Sequence, residues 1–169
     1  MKYIILSLLF LTSCIDTEGI KNQKQVITSM ATALGKKYPS VKSVDCQYLS
    51  KRLLRRDNRL VLVDARNIYQ YDVSHIQRAI PLSKLHETHQ SLDGREVIVY
   101  STIGTRATKA ILELAKSNQK TEFKNLFGGI LDWLQCGEKI YKDNKEVNKI
   151  RFENDAWNIV PKGYESILP

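Results

Sequence analysis

The sequence predicts an α/β fold, a parallel five-stranded sheet with helices on both faces. Three observations point to it. Short strand-like runs recur near Val44 and over residues 60–63, 79–80, 97–100 and 124–126. Several of these runs are almost continuously apolar, as strands buried on both faces are. Stretches of helical spacing lie between them, the alternation that builds a parallel sheet. Finally, the run over 96–100 passes through the loop Ser101-Thr102-Ile103-Gly104-Thr105-Arg106 into a helix carrying Ala107, Ala110, Ile111 and Leu114 on one face.

The elements follow in order. The first thirteen residues hold one charge, Lys2, and an apolar stretch over 3–11. That is too short for a permanent span, which needs about 20 residues, and it reads as a secretory signal peptide. It ends Leu11-Thr12-Ser13-Cys14, which resembles the lipobox of bacterial lipoproteins. The resemblance implies that Cys14 is acylated after cleavage and becomes the mature N-terminus. Two or three acyl chains would then hold the protein firmly on a bacterial envelope membrane, at its periplasmic face or at the cell surface. An ordinary signal peptide with a chance cysteine is the alternative. Ile15 after the cysteine leans towards the outer membrane of a Gram-negative host. The expected division is a signal peptide over 1–13, a lipid-anchored tether over 14–24, one domain with an N-terminal helix over 25–140, and a C-terminal extension packed on it over 141–169. About 155 residues beyond the signal suit one domain with a real core.

Val26, Ile27, Met30, Ala33 and Leu34 mark a helix over 25–37 that packs on the domain. A second helix is expected from about Asp45 to Arg56, and another around Trp133, which with Leu131 and Leu134 packs on the sheet. No internal repeat, low-complexity tract or second membrane segment appears.

The formal net charge is +8, and much of the excess sits at Lys51, Arg52, Arg55, Arg56 and Arg59. This reads as a solvated helix face, with attraction to anionic lipid headgroups as the alternative. Nucleic acid is disfavoured as a partner by the expected export and by the lack of any motif that interleaves aromatic and basic residues. With Cys14 committed to lipid, Cys46 and Cys136 remain. Export allows a disulfide, but sequence does not show whether the Cα atoms come within about 4.4–6.8 Å. Two separate, partly buried thiols are the expectation.

The loop over 101–106 resembles the active-site loop of rhodanese-like domains, C-x-x-G-x-R after a strand. Gly104 and Arg106 fall in register, and Ser101 stands where the family has its sulfur-carrying cysteine. Three further segments occur in the family's order. Leu60-Val61-Leu62-Val63-Asp64-Ala65-Arg66 is similar to its strand ending in Asp and Arg. Residues 69–81 are similar to its Gly-His-Ile segment, with Ser74 and Arg78 in place of two usual glycines. Residues 125–133 are similar to its Leu-x-Gly-Gly segment followed by Trp. Tyr38-Pro39, residues 73–76 and residues 141–157 also resemble a bacterial subfamily that extends the domain with a short hairpin and a Trp-containing segment.

In that chemistry a thiolate takes sulfur from a donor such as thiosulfate, holds it as a persulfide and passes it on. The cradle lowers the thiol's pKa from about 8.5. The Ser101 hydroxyl is barely ionised at neutral pH, has low affinity for sulfur, and would need a positioned general base. His75 is the one histidine near the motifs and reads as scaffold. His86 and His89 read as surface residues, and no residue spacing resembles a metal site.

The expected function is therefore a membrane-anchored, non-catalytic rhodanese-like module that needs no cofactor. An active sulfurtransferase using another thiol, such as Cys136, is the alternative. A phosphatase with a related cradle is disfavoured, because it too needs the missing cysteine and generally a longer loop. Ser101, Thr102, Ile103, Gly104, Thr105 and Arg106 would still present N–H groups, a helix N-terminus and a guanidinium. That set would take sulfate, thiosulfate, phosphate or a carboxylate weakly, with a protein partner as another option and a relic loop that only holds strand to helix as the equal alternative. Asp64 and Arg66, at the carboxyl end of a strand, are expected to line the pocket. Asp64 pairing with a neighbouring cation is the plainer reading.

Overall fold

The sheet is built around its most apolar strand. The computed structural model describes residues 17–88 and 91–169, so the expected signal peptide, Cys14 and His89 lie outside it. Strand β4 (Glu96–Tyr100) is buried along its whole length. It sits third in a parallel sheet ordered β1 (Ser43–Val44), β5 (Glu122–Leu126), β4, β2 (Leu60–Asp64) and β3 (Ile80–Pro81). Strands β2 and β4 run in register from Leu60 opposite Glu96 to Asp64 opposite Tyr100. The five parallel strands are those the sequence predicts.

Alternation along β4 divides the core in two. Ile98 and Tyr100 join Leu60, Leu62 and Leu126 under α1 (Thr17–Lys37), α2 (Cys46–Leu54) and α5 (Gly129–Gln135). Val97 and Val99 join Val63 and Phe123 under Ala107, Ile111 and Leu114 of α4 (Thr105–Ser117). Each fully buried aliphatic side chain contributes about 1.5–3 kcal/mol relative to exposure. The indole of Trp133 is buried, and its Nε1 donates to the Lys139 carbonyl at 2.9 Å. No helix among the described residues is long and apolar enough to cross a membrane.

Two expectations are corrected. Helix α1 begins at Thr17, well before residue 25, and its buried seam is Ile27, Ala31 and the half-buried Leu34, while Val26, Met30 and Ala33 face outward. Helix α5, its partner, has only seven residues, so it meets one narrow row of α1 rather than a broad stripe. The cysteines are also not separate thiols. Cys46 opens α2 behind the cap Asp45, and Cys136 closes α5. The two helices cover the same face of the sheet, so the start of one meets the end of the other and the sulfurs are bonded, with the Cα atoms 6.6 Å apart.

Residues beyond α5 fold back onto the domain. Strands β6 (Ile140–Lys142) and β7 (Lys145–Val147) form the expected hairpin. It turns at Asp143 and Asn144, both at positive φ (50° and 61°), the conformation that matches strand twist in a two-residue turn. Strand β8 (Lys149–Arg151) pairs in parallel with β9 (Glu165–Ile167). Ile140, Ile150 and Phe152 are fully buried in the main core, and Trp157 packs at its edge.

Candidate functional site

The loop after β4 is held from three sides. Asn125 of β5 donates from Nδ2 to the Gly104 carbonyl at 3.1 Å and to Thr108 Oγ1 at 2.9 Å. The first N–H groups of α5 hold the loop's own carbonyls, Ile130 to Ser101 at 2.9 Å and Leu131 to Thr102 at 3.2 Å. Gly129 (φ 59°) is what permits this, since a Cβ there would stand 2.2 Å from the Ser101 oxygen. Helix α1 covers the third side. A Cβ on Gly104 (φ 103°) would stand 3.3 Å from Leu34 and 2.8 Å from Asn125. The space left between α1 and Ile103 is only about 10 Å³, at most one water.

The loop is therefore enclosed. Ser101 is 2 % exposed, and Thr102 and Ile103 are buried with it. The Ser101 hydroxyl accepts from the Gly104 N–H at 3.1 Å, and no histidine, carboxylate or amine among the described residues contacts it. The N–H groups of Thr102, Ile103, Thr105 and Arg106 donate to no described residue.

Arg106 departs from expectation. It does not close over Ser101 but reaches along the outside of the loop. Nη2 donates to Thr102 Oγ1 at 3.2 Å and to Gln70 Oε1 at 2.9 Å, and Nη1 is paired with the Glu153 carboxylate. Glu153 also accepts from Asn67, the N-cap of the short helix α3 (Ile68–Tyr71), and Gln70 Nε2 donates to the Arg151 carbonyl at 3.0 Å. The C-terminal extension is thus tied to the head of α4 through Arg106.

Asp64 and Arg66 are also placed differently from expectation, because neither lines an open pocket. They form a buried, two-pronged ion pair with both side chains wholly excluded from solvent, and Arg66 Nη2 also donates to the Ser74 carbonyl at 2.6 Å. Burial pulls the Arg66 guanidinium down, but the Asp64 carboxylate outweighs it and Arg66 is held above its ordinary value. Tyr100 lies beneath, its hydroxyl accepting from the Ile76 N–H at 3.1 Å. Burial first, then the Asp64 charge, pushes that phenol well up. The pair braces the 66–76 segment, the plainer of the two readings. His75 stacks on Tyr71 with ring centroids 4.1 Å apart and pairs through its backbone with Tyr141, a scaffold role. The side chain of His86 lies outside the described residues.

A second polar cluster has no signal in the sequence. Glu96, at the start of β4, accepts from Tyr48 and from Lys124, each at 2.6 Å, and pairs with Arg52 at 2.6 Å. Arg52 therefore turns inward from the basic face expected on α2, while Lys51, Arg55, Arg56 and Arg59 stay exposed.

The fold agrees with the comparisons. The family described as rhodanese-like domain matches residues 46–136, more than half of the chain. The chain belongs to the rhodanese-like family. Among solved structures it resembles the BH2092 protein from Bacillus halodurans, at 21% identity and a TM-score of 0.53, covering 66% of this chain and 84% of that one. It also resembles a thiosulfate sulfurtransferase from Pseudomonas aeruginosa, at 16% identity and a TM-score of 0.57, covering 75% of this chain and 24% of that one. At such identities the likeness is one of fold. No curated protein matches.

The matched rhodanese-like segment begins at Cys46 and ends at Cys136, so the disulfide joins its two ends. Helix α1 and the extension with Glu153 lie outside it, and both bear on the loop.

Proposed function

We propose that this is an exported rhodanese-like module, anchored through Cys14 on a bacterial envelope membrane, in which residue 101 does not carry sulfur. Persulfide chemistry needs a thiolate at the head of the cradle. Ser101 supplies a hydroxyl that accepts from the Gly104 N–H and touches no base. The observation that carries the reading is that both remaining cysteines are bonded to each other, so the described residues hold no free thiol to stand in. The alternative, a sulfurtransferase working through Cys136, would first need that bond reduced.

The module's role is then binding. The donors of the loop support a small oxyanion, sulfate, thiosulfate or phosphate, as one ligand class, with Arg106 leaving Glu153 to close over it. A thermal melt in sulfate tests this, because an ion that binds the folded state raises the midpoint by mass action. An unchanged midpoint, together with no heat on titration, removes the anion and leaves a protein partner. Export is tested separately by labelling with a radioactive fatty acid, which Cys14→Ala should abolish.

A further inference from the structure

Outside the loop, the described residues bring one reactive constellation together. Cys46 is 2 % exposed and is the first residue of α2, a nine-residue helix whose Tyr48 N–H is taken by the Asp45 side chain and whose dipole favours negative charge at this end. Cys136, its bonded partner, is half-buried at the end of α5 and faces outward in part. Asp132, one helical turn before Cys136, is 6 % exposed. No N–H or O–H of a described residue donates to its carboxyl, and no cation comes within ion-pair distance. Its nearest polar neighbour is Cys136 Sγ, 3.9 Å from Oδ2, and a carboxyl oxygen lies within 4.8 Å of both sulfurs.

Asp132 packs closely on the turn that opens α5. Gly128 (φ 66°) has no Cβ, and one built there would stand 2.4 Å from the Asp132 Cβ. The charged groups that act on Asp132 are Lys24 of α1 and Asp45 before α2. Burial raises the carboxyl above its ordinary value, Lys24 opposes, and Asp45 adds to the rise. Asp132 thereby places a carboxyl against the disulfide.

We infer that Cys46–Cys136 is an exchangeable disulfide that reacts with small thiols in the folded protein, with Cys136 the attacked sulfur and Cys46 the leaving group. An incoming thiolate bonds to Cys136 Sγ. The Cys46–Cys136 bond breaks and its electron pair departs on Cys46, at the N-terminus of α2. A proton from solvent converts that thiolate to a thiol. A second thiolate then attacks the mixed disulfide and releases Cys136 as thiolate and the small-molecule disulfide. Two electrons pass from the two small thiols to the protein. Solvent protonates Cys136 in turn, and the reduced thiol can then donate to the Asp132 carboxyl. The chemistry follows attack at the accessible sulfur and departure of the better-stabilised thiolate. It is independent of how the loop at Ser101 is read.

Reduced glutathione is the probe. The full chain, held well below its melting temperature, is mixed with glutathione, quenched in acid, alkylated and mapped by mass spectrometry. A glutathione adduct on Cys136 and alkylated Cys46 is the expected result. Adducts on Cys46 instead, or reaction only in denaturant strong enough to unfold the chain, would overturn the inference and make the bridge a purely structural staple.

Discussion

Arg106 of helix α4 is ion-paired with Glu153, 47 residues further along the chain and outside the rhodanese-like segment. In the sequence Arg106 looks like the residue that completes an anion cradle. In the structure its planar fork is occupied by a carboxylate of the same chain, together with Gln70 and Thr102. A half-exposed ion pair contributes little to stability on its own. Its consequence is positional, because it holds the extension against the mouth of the loop.

Opening that contact should make the loop reactive. Ser101→Cys alone places a thiol where exposure is 2 %, and its alkylation by iodoacetamide should be slow. Ser101→Cys with Glu153→Ala should alkylate about tenfold faster, since local opening sets the reaction of buried groups. Equal rates in the two variants would mean that the extension does not guard the loop.

The same carboxylate competes with any bound anion. Glu153→Ala should therefore raise the midpoint shift produced by sulfate relative to wild type, while Arg106→Ala should abolish it. A sulfate response that is identical in all three proteins would assign the effect to general salt stabilisation.

The disulfide closes a long segment, with a sequence separation of 90. Chain-entropy arguments give about 3–5 kcal/mol for such a loop. The Cys46→Ser and Cys136→Ser variants should each lose that amount in urea unfolding without reductant. They should match the wild type once the wild type is fully reduced.

Glu96 gives a pH signature. Burial alone would raise its carboxyl, but hydrogen bonds from Lys124 and Tyr48 and the charges of Lys124 and Arg52 outweigh it, so its folded value is lowered. A lowered folded value means stability that is present above the ordinary carboxylate range and lost as pH falls through the folded value. Glu96→Gln should cost about 1–3 kcal/mol at neutral pH, and the difference from wild type should shrink on acidification. A constant difference down to strongly acidic pH would show that the charge is not what stabilises.

Asp64→Asn tests the buried brace. Removing one partner leaves the Arg66 charge uncompensated where both side chains are wholly buried, at a cost of about 3–5 kcal/mol. Loss of stability below 1 kcal/mol by urea unfolding would show that Arg66 finds another partner.

Much of this fold was readable in the residues. The strands β2 and β4 announce themselves by continuous apolar runs, and the loop over 101–106 by its glycine and arginine in register. The folding of Trp133 into the core follows from its apolar neighbours. What could not be read depends on which distant elements meet. Cys46 and Cys136 come together because α2 and α5 share a sheet face, which no local pattern encodes. Arg106 was legible as a cation in the right place, but its partner lies in a separate segment whose packing is fixed by Ile150 and Phe152. Likewise Asp64 and Arg66 were visible at the end of a strand, while their full burial depends on the 66–76 segment folding over them.

The central claim is that no residue of this protein carries sulfur, with Ser101 at the head of the loop and the described cysteines bonded to each other. A thiosulfate:cyanide sulfurtransferase assay on the full chain, purified without reductant and compared with the same protein after iodoacetamide, tests it most directly. The account predicts background turnover in both samples. Turnover above background in the untreated protein that iodoacetamide abolishes would contradict it, because a thiol would then be carrying sulfur in a protein whose described cysteines are bonded to each other.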